Sequence, residues 1–237
     1  MLSFTNFMYA GIGFNVVYNG SDTSGLGCIT EIVTNNEYVL NKFSGYESKV
    51  FIDIGANIGI ATIIMAKLNP NSIVYSFEPT KACFDILEKN IKLNDLTNVR
   101  AYQMALAKAD VHELELMVNQ EMTGANSLYA DVGGFENTYC GRTISIERVK
   151  CTTLDSFLKS NSIPSVKLLK IDCEGAEYDI IYESELFKTG VVNNMVGEFH
   201  NLKNLTGINN SADLQTYCKK YVDGYIGVTT LDLTQNY

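Results

Sequence analysis

Proline occurs three times in 237 residues, and no run rich in proline, glycine and serine separates one part of the chain from another. Nothing therefore marks a domain boundary, and the chain reads as a single domain, with residues 1–45 as an N-terminal lid or helix segment and 46–237 as the core. Basic residues are in deficit, 18 Lys and Arg against 27 Asp and Glu, for a formal net charge of −9. No local run of Lys or Arg compensates, which argues against a nucleic-acid partner, because phosphate binding needs clustered positive charge. A neutral or cationic small molecule, or an uncharged glycan, fits this surface better. Long apolar runs are missing too: none approaches the roughly 18 residues that cross a bilayer, so no membrane span is expected. The first residues, Met1-Leu2-Ser3-Phe4-Thr5-Asn6-Phe7, have neither a basic start nor an unbroken apolar stretch, so no signal peptide is expected. The six cysteines (Cys28, Cys83, Cys140, Cys151, Cys173, Cys218) include no C-x-x-C pair and no His at ligand spacing. They read as buried reduced thiols of a cytoplasmic protein.

What is there is the balance of a soluble globular domain, 46% hydrophobic and 19% charged. From Val50 onward, short apolar runs alternate with segments of helical period, the signature of a parallel sheet covered on both faces. The spacing predicts strands at Val50–Ile54, Ile73–Phe77, Val99–Gln103, Val166–Ile171 and Asn194–Phe199. Helices are expected at Asn57–Leu68, after a Thr80 N-cap, at Ala176–Leu186 and at Ser211–Tyr221. The rhythm breaks between about Val111 and Cys151, where Leu114, Leu116, Val118, Ile144 and Ile146 alternate with polar residues and suggest an antiparallel insertion. Thr152-x-x-Asp155 resembles a capping box, and Tyr225–Leu233 an edge hairpin. Ahead of Phe43 a strand at Phe14–Tyr18 and a helix over about Leu26–Leu40 are expected. The fold class is thus a doubly wound, mostly parallel α/β sheet of Rossmann-like kind.

Four segments carry chemistry. In Val50-Phe-Ile-Asp53-Ile-Gly55-Ala56-Asn57-Ile-Gly59 a buried strand ends in an acid, passes through a glycine turn and opens a helix. Open parallel sheets bind ligands at this carboxyl edge, and the glycines let the backbone approach closely. The dinucleotide pattern G-x-G-x-x-G is not matched, and a carboxylate at the loop's mouth suits a cation better than a pyrophosphate. The sulfonium and amino group of S-adenosyl-L-methionine (SAM) are such cations. Glu78-Pro79, at the end of the next strand, stands where an acid can accept bonds from both hydroxyls of a ribose. Lys170, Asp172 and Glu174 alternate along a strand that should be buried, where charges persist only if paired or used. The bland reading is a salt bridge of Lys170 with Asp172, or a partnership with Glu198; the functional one puts Asp172 beside the reacting group. Glu198-Phe199-His200 ends the fifth strand, and His200 is the one of two histidines at an active edge, a candidate general base or an ordinary buried histidine. His112, in the insertion, reads as structural. Asp172, Glu174 and Glu198 could hold a divalent ion, but the pattern establishes no metal.

Together these segments resemble the FkbM family of SAM-dependent methyltransferases. The matching stretches are Phe51-Ile-Asp-Ile-Gly-Ala-Asn-Ile-Gly, Phe77-Glu-Pro, Ala105-Leu, Thr153-Leu-Asp-Ser-Phe-Leu, Leu169-Lys-Ile-Asp-Cys-Glu-Gly-Ala-Glu and Glu198-Phe-His. The resemblance implies a class I methyltransferase fold and O-methylation of a hydroxyl on a sugar, glycolipid or polyketide. It places Asp53, Gly55, Ala56, Asn57 and Gly59 at the methionine end, Glu78 and Pro79 at the ribose, Ala105 near the adenine and Asp172 closest to the reacting centre. Gln103-Met-Ala-Leu departs from the family, whose members often carry Asn first. The expected chemistry is direct displacement, with His200 and Asp172 as catalytic candidates and Tyr129 and Tyr38 as stacking faces for a sugar. Two rivals are a nicotinamide-dependent sugar oxidoreductase or epimerase, and a non-catalytic binding protein on the same fold.

Overall fold

The computed structural model describes residues 1–108, 111–119, 121–128, 144–202 and 211–229. Its centre is a six-stranded sheet of β3 (Val50–Ile54), β4 (Ile73–Phe77), β5 (Val99–Tyr102), β9 (Leu168–Ile171), β10 (Asn194–Phe199) and β11 (Gly224–Thr229). Their order across the sheet is β11-β10-β9-β3-β4-β5, and all five pairings are parallel. The chain leaves β3 in one direction and returns at β9 for the other, so the topological switch point lies between these two strands, where such sheets bind ligands. Strands of this kind are buried on both faces, which explains runs as apolar as Phe51-Ile52 and Leu168-Leu169.

Alternation divides the sheet between two cores. Ile52, Ile54, Leu169, Ile171 and Met195 face one, with residues from α4 (Leu154–Ser160), α5 (Glu177–Tyr182) and α6 (Ser211–Cys218). Phe51, Val74, Leu168 and Val196 face the other, against α2 (Ile60–Leu68) and an N-terminal hairpin of β1 (Leu2–Tyr9) and β2 (Ile12–Asn19). The hairpin corrects the expected lone strand. Its outer face leaves Leu2, Phe4 and Met8 exposed, which hides the strand from a reading by burial. It also explains why eight of the nine α2 residues are buried.

The hairpin is fastened by asparagines of α3 (Lys81–Leu93) and the residue beyond it. Asn90 accepts from Val17 N at 2.8 Å and donates to Val17 O at 3.0 Å; Asn94 does the same for Asn15 at 3.1 and 2.7 Å. Two side chains one helical turn apart thus take the place of a third strand and satisfy the edge of β2. The expected helix over Leu26–Leu40 is shorter: α1 (Thr23–Ile29) runs into a π turn, Thr30–Thr34, and a 3-10 turn follows at Leu40–Phe43.

The insertion is antiparallel as expected, β7 (Glu113–Asn119) against β8 (Ile144–Thr152), with β8 also pairing parallel to the short β6 (Ala105–Leu106). Two caps differ from expectation. Thr80 stands at the N-cap of α3, but its hydroxyl turns back to Glu78. Thr153, not Thr152, caps α4 by accepting from Ser156 N at 3.0 Å, because Thr152 is still paired in β8. The described part of the expected edge hairpin is one parallel strand, β11; the remainder lies outside the described residues, as do Cys140 and Tyr129. The other five cysteines are free thiols, and no described helix is long and apolar enough to cross a membrane.

Candidate active site

The site is built on the tips of β3, β4, β9 and β10. The loop after β3 carries three left-handed residues in alternation, Gly55 (φ 75°), Asn57 (φ 50°) and Gly59 (φ 88°). A Cβ on Gly55 would collide with the carbonyl oxygen of Asp172, so glycine is required both for the turn and for the contact across the switch point. Asn57 tolerates its conformation because its Oδ1 accepts from the next N–H, Ile58, at 2.7 Å. Gly55 and Ala56 both donate to Phe77 O, which ties the loop to the end of β4 and leaves it arched over the start of α2.

Glu78, 6% exposed, accepts from Asn57 N through Oε2 at 2.9 Å and from Thr80 N and Oγ1 through Oε1 at 2.9 and 2.6 Å. Burial pushes its carboxyl up, against the pull of these donors. Three of its roughly four acceptor positions are filled by the chain, which leaves room for one ribose hydroxyl in this conformation, where two were expected. Ala105 sits partly buried at the start of β6, and Pro79 links Glu78 to the Thr80 turn.

Lys170 is the electrostatic hub. It is 3% exposed; its Nζ donates to Gly55 O at 2.8 Å and lies 3.4 Å from Asp53 Oδ1 and 3.6 Å from Asp172 Oδ2. Burial alone would depress this ammonium, but Asp53 and Asp172 more than offset that and hold it above its ordinary range. The bland reading of a Lys170–Asp172 pair therefore holds in part, and Asp53 completes it. Asp53 itself is fully buried, its Oδ2 accepts from Thr62 Oγ1 at 2.6 Å, and its Oδ1 stands 3.4 Å from the lysine ammonium without a hydrogen bond. That placement corrects the expectation of a sulfonium contact: the charge of Asp53 is spent inside the protein, and the carboxylates open to a cation are those of Asp172, Glu174 and Glu198, 22–25% exposed.

Asp172 Oδ2 also accepts from Tyr38 OH at 2.8 Å. Tyr38 is 3% exposed, so it is a wall of the site and offers no stacking face. Beyond Asp172, Glu174 (φ 52°) and Gly175 (φ 101°) make the turn into α5. Glu177, fully buried, clamps that turn by accepting from Cys173 N and Gly175 N, each at 2.9 Å. His200, 7% exposed, lies with Nδ1 3.2 Å from Glu177 Oε1, and Nε2 3.2 Å from Glu174 Oε2 and 3.9 Å from Glu198 Oε1. Burial opposes its charge, but Glu177 and Glu174 win and raise it well above the usual imidazole range. A histidine held as imidazolium between carboxylates is a poor proton acceptor, which corrects its assignment as general base. Burial, with Asp172 next to it, raises Glu198 to about 8, and burial raises Glu174 above the ordinary carboxylate range.

The insertion reaches over this edge. Asp22 accepts from Thr123 N and from the Thr123 hydroxyl, Gly124 N donates to Ser24 Oγ at 2.9 Å, and Ser127 Oγ donates to Glu174 O at 2.6 Å. Sequence reasoning named Tyr38 as a stacking face and not as a donor to Asp172, and it missed Glu177 and Asp22. Glu177 was readable within the Glu174-Gly-Ala-Glu177 run; Tyr38 and Asp22 come from distant segments that no local pattern links to the site.

The loop, Glu78 and the carboxylates thus meet at the switch point of a doubly wound sheet, the edge where such sheets bind ligands. The Methyltransferase FkbM domain model matches residues 53–216, well over half of the chain, so the chain belongs to the FkbM methyltransferase family. The methyl donor of that family is S-adenosylmethionine. Methyltransferase 1 of Beauveria bassiana (strain ARSEF 2860) is 29% identical over 164 residues, 64% of this chain and 65% of that one. Methyltransferase sdnD of Sordaria araneosa is 28% identical over 169 residues, 62% and 64% of the two chains. The chain thus spans slightly less than two thirds of either curated relative. Among solved structures, the AdoMet complex of M. jannaschii TYW2 overlaps 41% of this chain and 42% of its own at 25% identity, with a TM-score of 0.30; at that score the overlap carries no argument.

The residues present fit S-adenosylmethionine. Three left-handed residues shape the loop at the switch point, Glu78 keeps one acceptor position free, and the carboxylates at the β9 and β10 tips favour a cation.

Proposed function

We propose that this chain is a SAM-dependent methyltransferase that methylates a hydroxyl oxygen of a sugar, glycan or other small natural product. The observation that carries the reading is the meeting, at one switch point, of the Gly55–Gly59 loop, Glu78 and the Asp172–Glu174–Glu198 carboxylates. In it, Gly55, Ala56, Asn57 and Gly59 shape the methionine pocket and Glu78-Pro79 orients the ribose. Ala105 lines the adenine side, and Asp172 stands nearest the transferred group. Bound S-adenosylmethionine supplies an activated methyl, so the protein's part is mainly alignment, worth roughly 7–11 kcal/mol of barrier. Lys170 and Asp53 act behind the loop by fixing Gly55 against Asp172. Glu198, facing the same opening, accepts the hydroxyl proton, a role worth about 10²–10⁴-fold; His200 supports the carboxylates as a charged partner. The net charge of −9 and this acidic rim favour an uncharged or cationic acceptor over nucleic acid.

The test is transfer of label from CD3-labelled S-adenosylmethionine to a panel of saccharides and small aliphatic alcohols, with the product read by mass spectrometry. Label on oxygen supports the reading. Label found on nitrogen or carbon of the acceptor would overturn O-methylation while keeping the family chemistry.

A further inference from the structure

Beside the cofactor edge, the tips of β9 and β10 hold an arrangement that alignment of a methyl donor does not require. Asp172, Glu174 and His200 each present one ligand atom, and these atoms lie within 4.8 Å of one another. Ligands of a cation bound at about 2.0–2.4 Å stand no further apart than this. The histidine is what separates the group from an ordinary acidic rim. Its ring is 7% exposed and is held from behind by Glu177, itself fully buried and fixed by two backbone N–H groups. A carboxylate at Nδ1 that turns Nε2 toward other ligands is how proteins orient a metal-binding imidazole. The charge balance points the same way. Asp53, Asp172, Glu174, Glu177 and Glu198 gather around two cations, Lys170 and His200, and Lys170 is engaged with Asp53 and Asp172. Among the described residues, five acidic side chains thus stand against two basic ones at this edge, a cluster that a dipositive ion would hold together.

We infer that Asp172, Glu174 and His200 form a divalent-metal centre at the acceptor side of the site. One imidazole with two carboxylates is a ligand set of intermediate hardness that takes divalent first-row ions, of which Mn²⁺ is the spectroscopically visible probe. On binding, the ion replaces the proton shared by His200 and Glu174, which leaves to solvent, and the histidine becomes a neutral ligand. The remaining coordination positions face the opening, where a hydroxylated acceptor would bind; that use rests on the methyltransferase reading, whereas the binding of the ion does not.

The experiment titrates the full chain, freed of metal by chelator, with Mn²⁺ and follows the free ion by electron paramagnetic resonance, with no methyl donor present. One Mn²⁺ per chain is expected. Glu174→Gln and His200→Gln, each checked for native circular dichroism, should weaken binding at least tenfold, while Glu115→Gln, an exposed carboxylate paired with Arg148, should leave it unchanged. Absence of stoichiometric Mn²⁺, or binding that both variants leave intact, overturns the centre. A parallel titration with S-adenosylhomocysteine separates the readings. Homocysteine nucleoside bound without Mn²⁺ sinks the metal centre alone, and Mn²⁺ bound without the nucleoside sinks the cofactor reading alone.

Discussion

Replacing Lys170 by Met removes the cation that Asp53 faces and the donor to Gly55 O, while keeping a long apolar side chain in place. Asp53 is then a fully buried carboxylate with Thr62 as its remaining partner. Breaking a buried pair from one side costs about 3–5 kcal/mol, because the surviving charge is left uncompensated. For a domain of this size each kcal/mol moves Tm by about 2–4 °C, so the Lys170→Met chain should melt about 6–20 °C below the parent. Adding Asp53→Asn removes the stranded charge and should recover more than half of the loss, a coupling that a double-mutant cycle measures directly. Thermal melts of the four chains at pH 7.5 suffice. A single variant within 2 °C of the parent, or no recovery in the double variant, would refute the hub.

Three further outcomes follow from the same contacts. Glu78→Ala should weaken S-adenosylhomocysteine by about 1–3 kcal/mol, the cost of a lost charge-assisted bond; calorimetric affinity equal to the parent's would remove Glu78 from the ribose. Asn90→Ala strands both backbone groups of Val17 and should cost about 1–3 kcal/mol, with faster amide exchange confined first to residues 2–19 by mass spectrometry. Tyr38→Phe removes the hydroxyl that donates to Asp172, at about 1.5–3 kcal/mol near neutrality. Burial, and Asp172 next to it, raise the Tyr38 phenol well above 10. Its contribution is therefore complete below pH 10 and lost as pH rises beyond that, so denaturation between pH 9 and 11 should show a shallower alkaline decline in the variant.

The sheet was legible in the sequence because its strands are central and carry unbroken apolar runs. Val50–Ile54, Ile73–Phe77 and Asn194–Phe199 keep the ends read from spacing alone. The N-terminal hairpin was only half legible: β1 exposes Leu2, Phe4 and Met8, and β2 finds its second edge in two asparagine side chains of α3 and its end, a pairing with no sequence period. In the site, position was readable and partnership was not. Asp53, Glu78, Asp172 and His200 all fall at strand tips as their motifs imply. That Asp53 is spent on Lys170, or that His200 is held as a cation by Glu177 and Glu174, depends on distances of 3–4 Å between side chains up to 117 residues apart. The bond from Tyr38 to Asp172, 134 residues away, lay beyond any local pattern.

Calorimetric titration of the purified chain with S-adenosylhomocysteine tests the central claim most directly, with NAD⁺ as the comparison ligand. The account predicts one nucleoside bound per chain and no heat from the dinucleotide. Silence from S-adenosylhomocysteine, or saturable binding of NAD⁺ in its place, would contradict it.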